Sequence, residues 1–108
     1  MKATRLDWPE IVPPKLEKAC GDDMEIVARE VREGISHLYQ IVGDGVDLLV
    51  VTRGEEYPNG KELVIECVAG LGMEQVGQFL IDNARILGFD SIRYHCKSQA
   101  VQRLYQQY

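Results

Sequence analysis

The segment from Lys61 to Tyr108 constrains the fold of this 108-residue chain most strongly. It begins with an apolar run typical of a strand, which leads directly into Gly70 and Gly72. Apolar residues then recur at helical spacing over residues 73–87, and residues 91–96 read as a second strand. This order predicts a strand–helix–strand unit, and its glycine turn is a common way to present backbone N–H groups to a phosphate.

The rest of the pattern predicts an antiparallel meander of strands placed before that unit. The expected elements are a short strand over 1–7, helices over 15–20 and 24–35, strands over 37–42, 46–52 and 62–68, a polar turn region over 54–60, and a last helix over 99–108. Together they predict one domain over residues 1–108 with an α+β (mixed α/β) fold. We expect a mostly antiparallel sheet with helices on both faces.

Composition excludes several classes of function. The net charge is −5 and the basic residues are scattered, which argues against a nucleic-acid partner. No apolar run approaches the roughly 20 residues that a membrane helix needs, so no membrane association is expected. The cysteines, Cys20, Cys67 and Cys96, form no Cys-x-x-Cys pair. We therefore expect small apolar thiols in a reducing, cytoplasmic compartment and no metal site.

The order of elements and three short motifs resemble the Gcn5-related N-acetyltransferase (GNAT) superfamily, particularly its short, divergent phage-type members. The motifs are the strand Glu62-Leu-Val-Ile, the helix end Ala84-Arg-x-x-Gly88 and the Arg-Leu-Tyr ending at Tyr105. The resemblance covers nearly the whole chain. It implies a GNAT-like fold, acetyl-coenzyme A as co-substrate and an amine acceptor, either a small molecule or a protein. It also implies two strands beyond the last helix, which this chain is expected to lack.

In that family, a turn of Gln or Arg, two residues, Gly, one residue and then Gly or Ala holds the coenzyme A pyrophosphate through its amides. The matching positions are Cys67, Val68, Ala69, Gly70, Leu71 and Gly72. Cys67 stands where the family has its basic or amide residue, so the cationic complement to the pyrophosphate is absent from that position. Ser98 matches a family asparagine that contacts the coenzyme.

The resemblance and the strand pattern suggest two catalytic residues. Alternation places Glu66 with Val64 and Val68 on a largely apolar face, where burial would raise its pKa and suit it to act as a general base. Tyr105 matches the family tyrosine that protonates the departing thiolate. Other roles stay open: Glu66 could pair with Arg93, Tyr105 could serve packing, and the two glycines could serve the turn alone.

Two classes of function follow from these observations. The first is an acetyltransferase that binds acetyl-coenzyme A where the strands 62–68 and 91–96 splay apart. The alternative is a catalytically inactive GNAT-like phage protein that acts through protein contacts, as a virion component or as an inhibitor of a host protein, and homodimerisation fits either. A third hypothesis is a sensor that binds coenzyme A without turnover.

Overall fold

The computed structural model of the chain describes residues 1–95 and 101–106, and of His95 and 101–106 it describes the backbone alone. Its strands and helices closely follow the predicted order up to residue 95. In chain order they are β1 (Lys2–Leu6), α1 (Pro14–Cys20), a 3₁₀ turn (Gly21–Asp23), α2 (Met24–Arg32), β2 (Ser36–Gly43), β3 (Val46–Tyr57), β4 (Gly60–Leu71), α3 (Met73–Ile86), β5 (Ser91–His95) and β6 (Val101–Gln106).

The six described strands form one sheet in the order β1-β2-β3-β4-β5-β6. Neighbouring strands pair antiparallel except β4 and β5, which run parallel and are connected through α3. The parallel pairing begins at Glu62 opposite Ser91 and extends to Ile65 opposite Tyr94. The predicted α+β class is therefore confirmed, with a sheet that is mixed.

Helices cover both faces of the sheet, as the sequence predicts. On one face α3 packs its apolar stripe, with Val76 and Leu80, against a cluster that includes Leu48 and Val50 of β3. On the other face α1 and α2 pack against Leu49, Val51 and further residues of β2 and β4. Strand β3 thus alternates between two apolar clusters, which explains its nearly continuous apolar run.

The hairpin that joins β3 to β4 is longer than the sequence pattern predicts. Both strands continue through most of the polar region, and the turn itself is limited to Pro58 and Asn59. Charged pairs rather than apolar residues support this end, since Arg53 bonds to Glu55 at 2.7 Å across two positions of one strand. A polar composition was therefore compatible with a strand here.

The predicted helix over residues 99–108 is wrong over 101–106. These residues form β6, which pairs antiparallel with β5 and places Tyr105 opposite Ile92. The expectation that the sheet lacks a further strand at this end is also wrong. A segment this short, containing valine and tyrosine, is ambiguous between helix and strand, and the unpaired edge of β5 offers backbone hydrogen bonds that decide it.

Candidate active site in a groove beside β4

A groove opens beside β4, beyond the last pair that the described residues form between β4 and β5. The described pairing stops at Ile65 opposite Tyr94, whereas β4 continues to Leu71. The resulting cavity measures about 290 Å³. It is lined from α1 by Lys15, Lys18 and Ala19, from β4 by Glu66, Cys67, Val68, Ala69 and Gly70, and from β5 by Tyr94. Five of the residues that the sequence proposed as a site therefore share one wall.

These wall residues lie on a strand and not in a turn. Val68 to Leu71 pair antiparallel with Asp47 to Val50 of β3, and only Gly72 separates β4 from α3. In such a strand alternate residues direct their N–H and C=O groups away from the paired neighbour. The wall of the groove thus presents main-chain donors and acceptors of β4. The sequence analysis placed such donors in a glycine turn after the strand, and here they belong to the strand itself.

A β-bulge interrupts β4 at Glu66. In the pairing with β3, Val51 lies opposite Cys67 and Thr52 lies opposite Ile65, so that Glu66 has no opposite residue. A bulge adds one residue to a strand, bends it and redirects a side chain. The predicted sharing of one face by Glu66 and Val68 is therefore wrong: Val68 packs against the α3 cluster, whereas Glu66 lies on the side of α2.

The carboxylate of Glu66 is held by two groups. Its side chain is 11% exposed, its Oε1 lies 3.0 Å from Nη1 of Arg53, and its Oε2 accepts a hydrogen bond of 3.3 Å from Ser36 Oγ. Burial raises the pKa of Glu66 and the negative charge of Glu30 raises it further, while Arg53 and Ser36 oppose the shift. Burial is thus the largest cause of the raised pKa, the cause that the strand pattern suggested. The ion-pair partner of Glu66 is Arg53 rather than Arg93.

We expect the stability contributed by Glu66 to decrease as the pH rises. Its pKa in the folded state lies above its unfolded value of about 4.3, so the contribution is complete below that pH and is lost as the pH rises through the folded pKa. Between about pH 4.5 and pH 7.5, wild type should therefore lose unfolding free energy relative to Glu66→Gln. Urea denaturation at both pH values measures this difference. Glu17→Gln, at an exposed position on α1, is the control, and an equal pH trend in both variants would contradict the assignment.

Arg53 is the centre of a wider network of charges on the same side of the sheet. Besides Glu66 it contacts Glu30 at 3.1 Å and Glu55 at 2.7 Å. The pKa of Glu55 is lowered, chiefly by a hydrogen bond from Tyr57 and also by Arg53. The network continues on β5, because Arg93 contacts Glu55 at 3.3 Å and Glu62 at 3.5 Å. Carboxylates outnumber guanidinium groups among these residues, so the network itself carries a net negative charge.

Close approach of β3 accounts for both glycines of the predicted phosphate turn. Gly70 has a φ of 124°, and a Cβ there would lie 2.2 Å from the carbonyl oxygen of Asp47. Gly72 has a φ of 98°, and its Cβ would lie 2.8 Å from the Cα of Val46. Both positions require glycine without any ligand. Gly72 does not line the groove, and Leu71 is 74% exposed beyond its end.

Cys67 lies at the groove as a buried thiol. It packs with Cys20 of α1 in the apolar cluster on that face. The hydrogen bond with Cys20 and burial raise the pKa of Cys67, so this thiol stays protonated and is a poor nucleophile. The interpretation of Cys20 and Cys67 as small apolar core residues fits these surroundings.

The structure adds three residues that sequence reasoning missed. Lys15 and Lys18 belong to α1 at a spacing of three, which places them on one side of the helix, and both line the groove. They supply positive charge to the groove, where Cys67 replaces the basic or amide residue of the GNAT pattern. Tyr94 brings a phenol from β5. The spacing of the lysines is visible in the sequence, but nothing in it indicates that α1 lies against β4.

The remaining predicted site residues are not placed at the groove. Ser98 lies outside the described residues. Tyr105 is described by its backbone alone, on β6 rather than on a helix. Within the described part of the chain, no group of three or more His, Cys, Asp or Glu side chains is arranged for a metal ion. No helix among the described residues has the length and apolar character needed to cross a membrane.

Comparison with known proteins gives no relative. No family model, no curated protein and no solved structure matches the chain. The likeness to the GNAT superfamily therefore depends on the order of the elements and on the residues named above.

Proposed function

We propose that this chain is a GNAT-like N-acetyltransferase that transfers an acetyl group from acetyl-coenzyme A to an amine. The observation that carries the proposal is the groove beyond the last described pair of β4 and β5, lined by the predicted residues Glu66 to Gly70. Its volume of about 290 Å³ is at the small end for ligand sites and suits the acetyl group and the arm that bears it, with the nucleotide outside.

Different groove residues would bind the coenzyme, deprotonate the amine and protonate the departing sulfur. Main-chain groups of β4 that face the groove would hydrogen-bond the arm, and Lys15 and Lys18 would attract its phosphates. Glu66, with its raised pKa, would take a proton from the amine, whose nitrogen then attacks the thioester carbonyl. As the carbon–sulfur bond breaks, a phenol would protonate the sulfur. Tyr94 lines the groove and joins Tyr105 as a candidate for that role.

Coenzyme binding is the first test of this proposal. Coenzyme A and acetyl-coenzyme A should raise the melting temperature as each exceeds its dissociation constant. The double variant Lys15→Glu/Lys18→Glu should weaken the effect at least about tenfold, because each charge-assisted contact contributes more than about 1 kcal/mol. Lys2→Glu, on β1 away from the groove, is the matched control. No shift at millimolar ligand would remove both the enzyme and the sensor hypotheses.

Turnover is the second test. Release of free thiol with a panel of amines should fall at least about tenfold in Glu66→Gln, because general base catalysis contributes about 10²–10⁴ in rate. Coenzyme binding should persist in this variant. Tyr94→Phe and Tyr105→Phe, compared side by side, decide which phenol donates the proton. Wild-type rates in all three variants would reject these residue roles.

A non-catalytic protein that acts through protein contacts is the second candidate. The observation that favours it is that packing explains the key residues: Arg53 and Ser36 engage Glu66, and β3 requires glycine at positions 70 and 72. An intact fold with no response to coenzyme A would favour this alternative, including a phage or host protein partner.

A further inference from the structure

A second cavity lies apart from the β4 groove, between β1, the end of α2 and the start of β2. Its volume is about 260 Å³. The side chains that give it chemical character are Arg5 and Asp7 from β1 and the residues after it, Trp8, Arg32 from α2, and His37 from β2. None of these residues has a role in the proposed acetyl transfer.

Two of these side chains are cations that form no ion pair with another described residue. Among the described residues, neither Arg5 nor Arg32 takes part in an ion pair, whereas Arg53 contacts three carboxylates. Among the described residues that line this cavity, Asp7 alone is acidic. Two guanidinium groups facing one carboxylate leave the cavity with a net positive charge, in a chain whose net charge is −5.

His37 adds an unsatisfied nitrogen. Its Nδ1 is buried and has no hydrogen-bond partner among the described residues, and its ring is held in an edge contact with Tyr39 at 6.4 Å between centroids. Burial lowers the pKa of His37 and the nearby charge of Arg5 lowers it further. A buried polar atom without a partner is costly, and a ligand oxygen could accept a hydrogen bond from Nδ1–H.

We propose that this cavity binds a small oxyanion, a phosphate or a carboxylate, carried on a planar group that packs against Trp8. Arg5 and Arg32 each present paired N–H donors of the kind that match such oxyanions. The indole supplies a flat apolar surface for the planar part of the ligand. Asp7 opposes the binding of a full dianion and can accept a hydrogen bond from a protonated phosphate oxygen.

Tryptophan fluorescence tests the proposal directly, because Trp8 is the only tryptophan of the chain. Inorganic phosphate, phenyl phosphate and benzoate are titrated separately, with sodium chloride at equal ionic strength as the reference. We expect a saturable change with phenyl phosphate at lower concentrations than with inorganic phosphate. The comparison of phenyl phosphate with benzoate distinguishes the two oxyanions. A change that chloride reproduces, or no saturable change with any of the three probes, would overturn the proposal.

Variants locate the response in this cavity. Arg5→Gln and Arg32→Gln should each weaken binding by about tenfold, since a hydrogen bond to a charged group contributes about 1.5–3 kcal/mol. Asp7→Asn should tighten it, and Arg29→Gln, an exposed arginine of α2 outside the cavity, should leave it unchanged. Equal affinity in the Arg5 and Arg32 variants and in wild type would refute the site.

Amide and indole NMR shifts of wild-type protein provide a measurement that does not depend on the variants folding. The oxyanion should move the Trp8 indole N–H and the amides around Arg5 and His37. Shifts confined to other surfaces would equally refute the site. Because the cavity shares no lining residue with the β4 groove, these outcomes do not depend on whether the chain binds coenzyme A.

Discussion

Gly70→Ala is expected to lower the free energy of unfolding by about 2–4 kcal/mol, the sum of backbone strain and overpacking. The φ of 124° is one that residues with a Cβ rarely adopt, and the new methyl group would meet the Asp47 carbonyl oxygen at 2.2 Å. That oxygen belongs to the paired main chain of β3 and cannot turn away as a side chain could. Urea denaturation with the slope compared between variants measures the loss.

Gly77→Ala is the matched control for that prediction. Gly77 lies inside α3, and a Cβ there meets nothing within 4 Å. Alanine should therefore stabilise the helix by about 0.5–1 kcal/mol, since glycine costs conformational entropy. We therefore expect the unfolding free energy to fall in Gly70→Ala and to rise in Gly77→Ala. A loss at Gly77 as large as that at Gly70 would contradict the geometric explanation.

Deletion of Val50 is expected to unfold the chain, whereas deletion of Glu66 is expected to leave it folded. Val50 packs in the α3 cluster while its neighbours, Leu49 and Val51, pack in the cluster of α1 and α2. Removing Val50 would turn one of those neighbours to the wrong face, the consequence of any one-residue slip in a strand with buried faces. Circular dichroism and thermal melting of the two deletion variants measure the contrast.

The β-bulge explains why deletion of Glu66 should be tolerated, unlike deletion of Val50. Without it, Ile65 and Cys67 become consecutive, and they already face opposite clusters. Their partners, Thr52 and Val51, are also consecutive, so the ladder would close regularly. The loss should be limited to the contacts of Glu66, about 1–3 kcal/mol. Unfolding by this deletion would show instead that the extra residue is needed for the fold.

Much of the fold was predictable because local patterns and tertiary packing agree over most of the chain. Three local patterns each predict the element that is observed. They are the apolar stripe of α3, the glycines that follow helices, and the alternation of β2. The region 101–106 was predicted wrongly because pairing with β5, a contact between segments, outweighs a weak local preference. The polar end of β3 was underestimated because ion pairs such as Arg53–Glu55 replace apolar residues there.

The candidate site was less predictable, for a different reason. Glu66 and the following β4 residues could be selected from the strand pattern, but the bulge leaves no signature in a single sequence. It reverses the phase of alternation, so the face predicted for Glu66 relative to Val68 was wrong. Lys15 and Lys18 were missed because their importance depends on where α1 lies against the sheet. Spacing within a helix indicates which residues share a side, but not what that side contacts.

Strand β3 has a consequence for how the molecule opens. Successive residues from Leu48 to Val51 are fully or almost fully buried and belong alternately to the two apolar clusters. Separating either helical layer from the sheet would expose one face of β3. It would also weaken the strand pairing that positions the residues packed on the opposite face. Partial opening is therefore disfavoured, and the amide protons of β3 should exchange with solvent only in cooperative unfolding of both layers together.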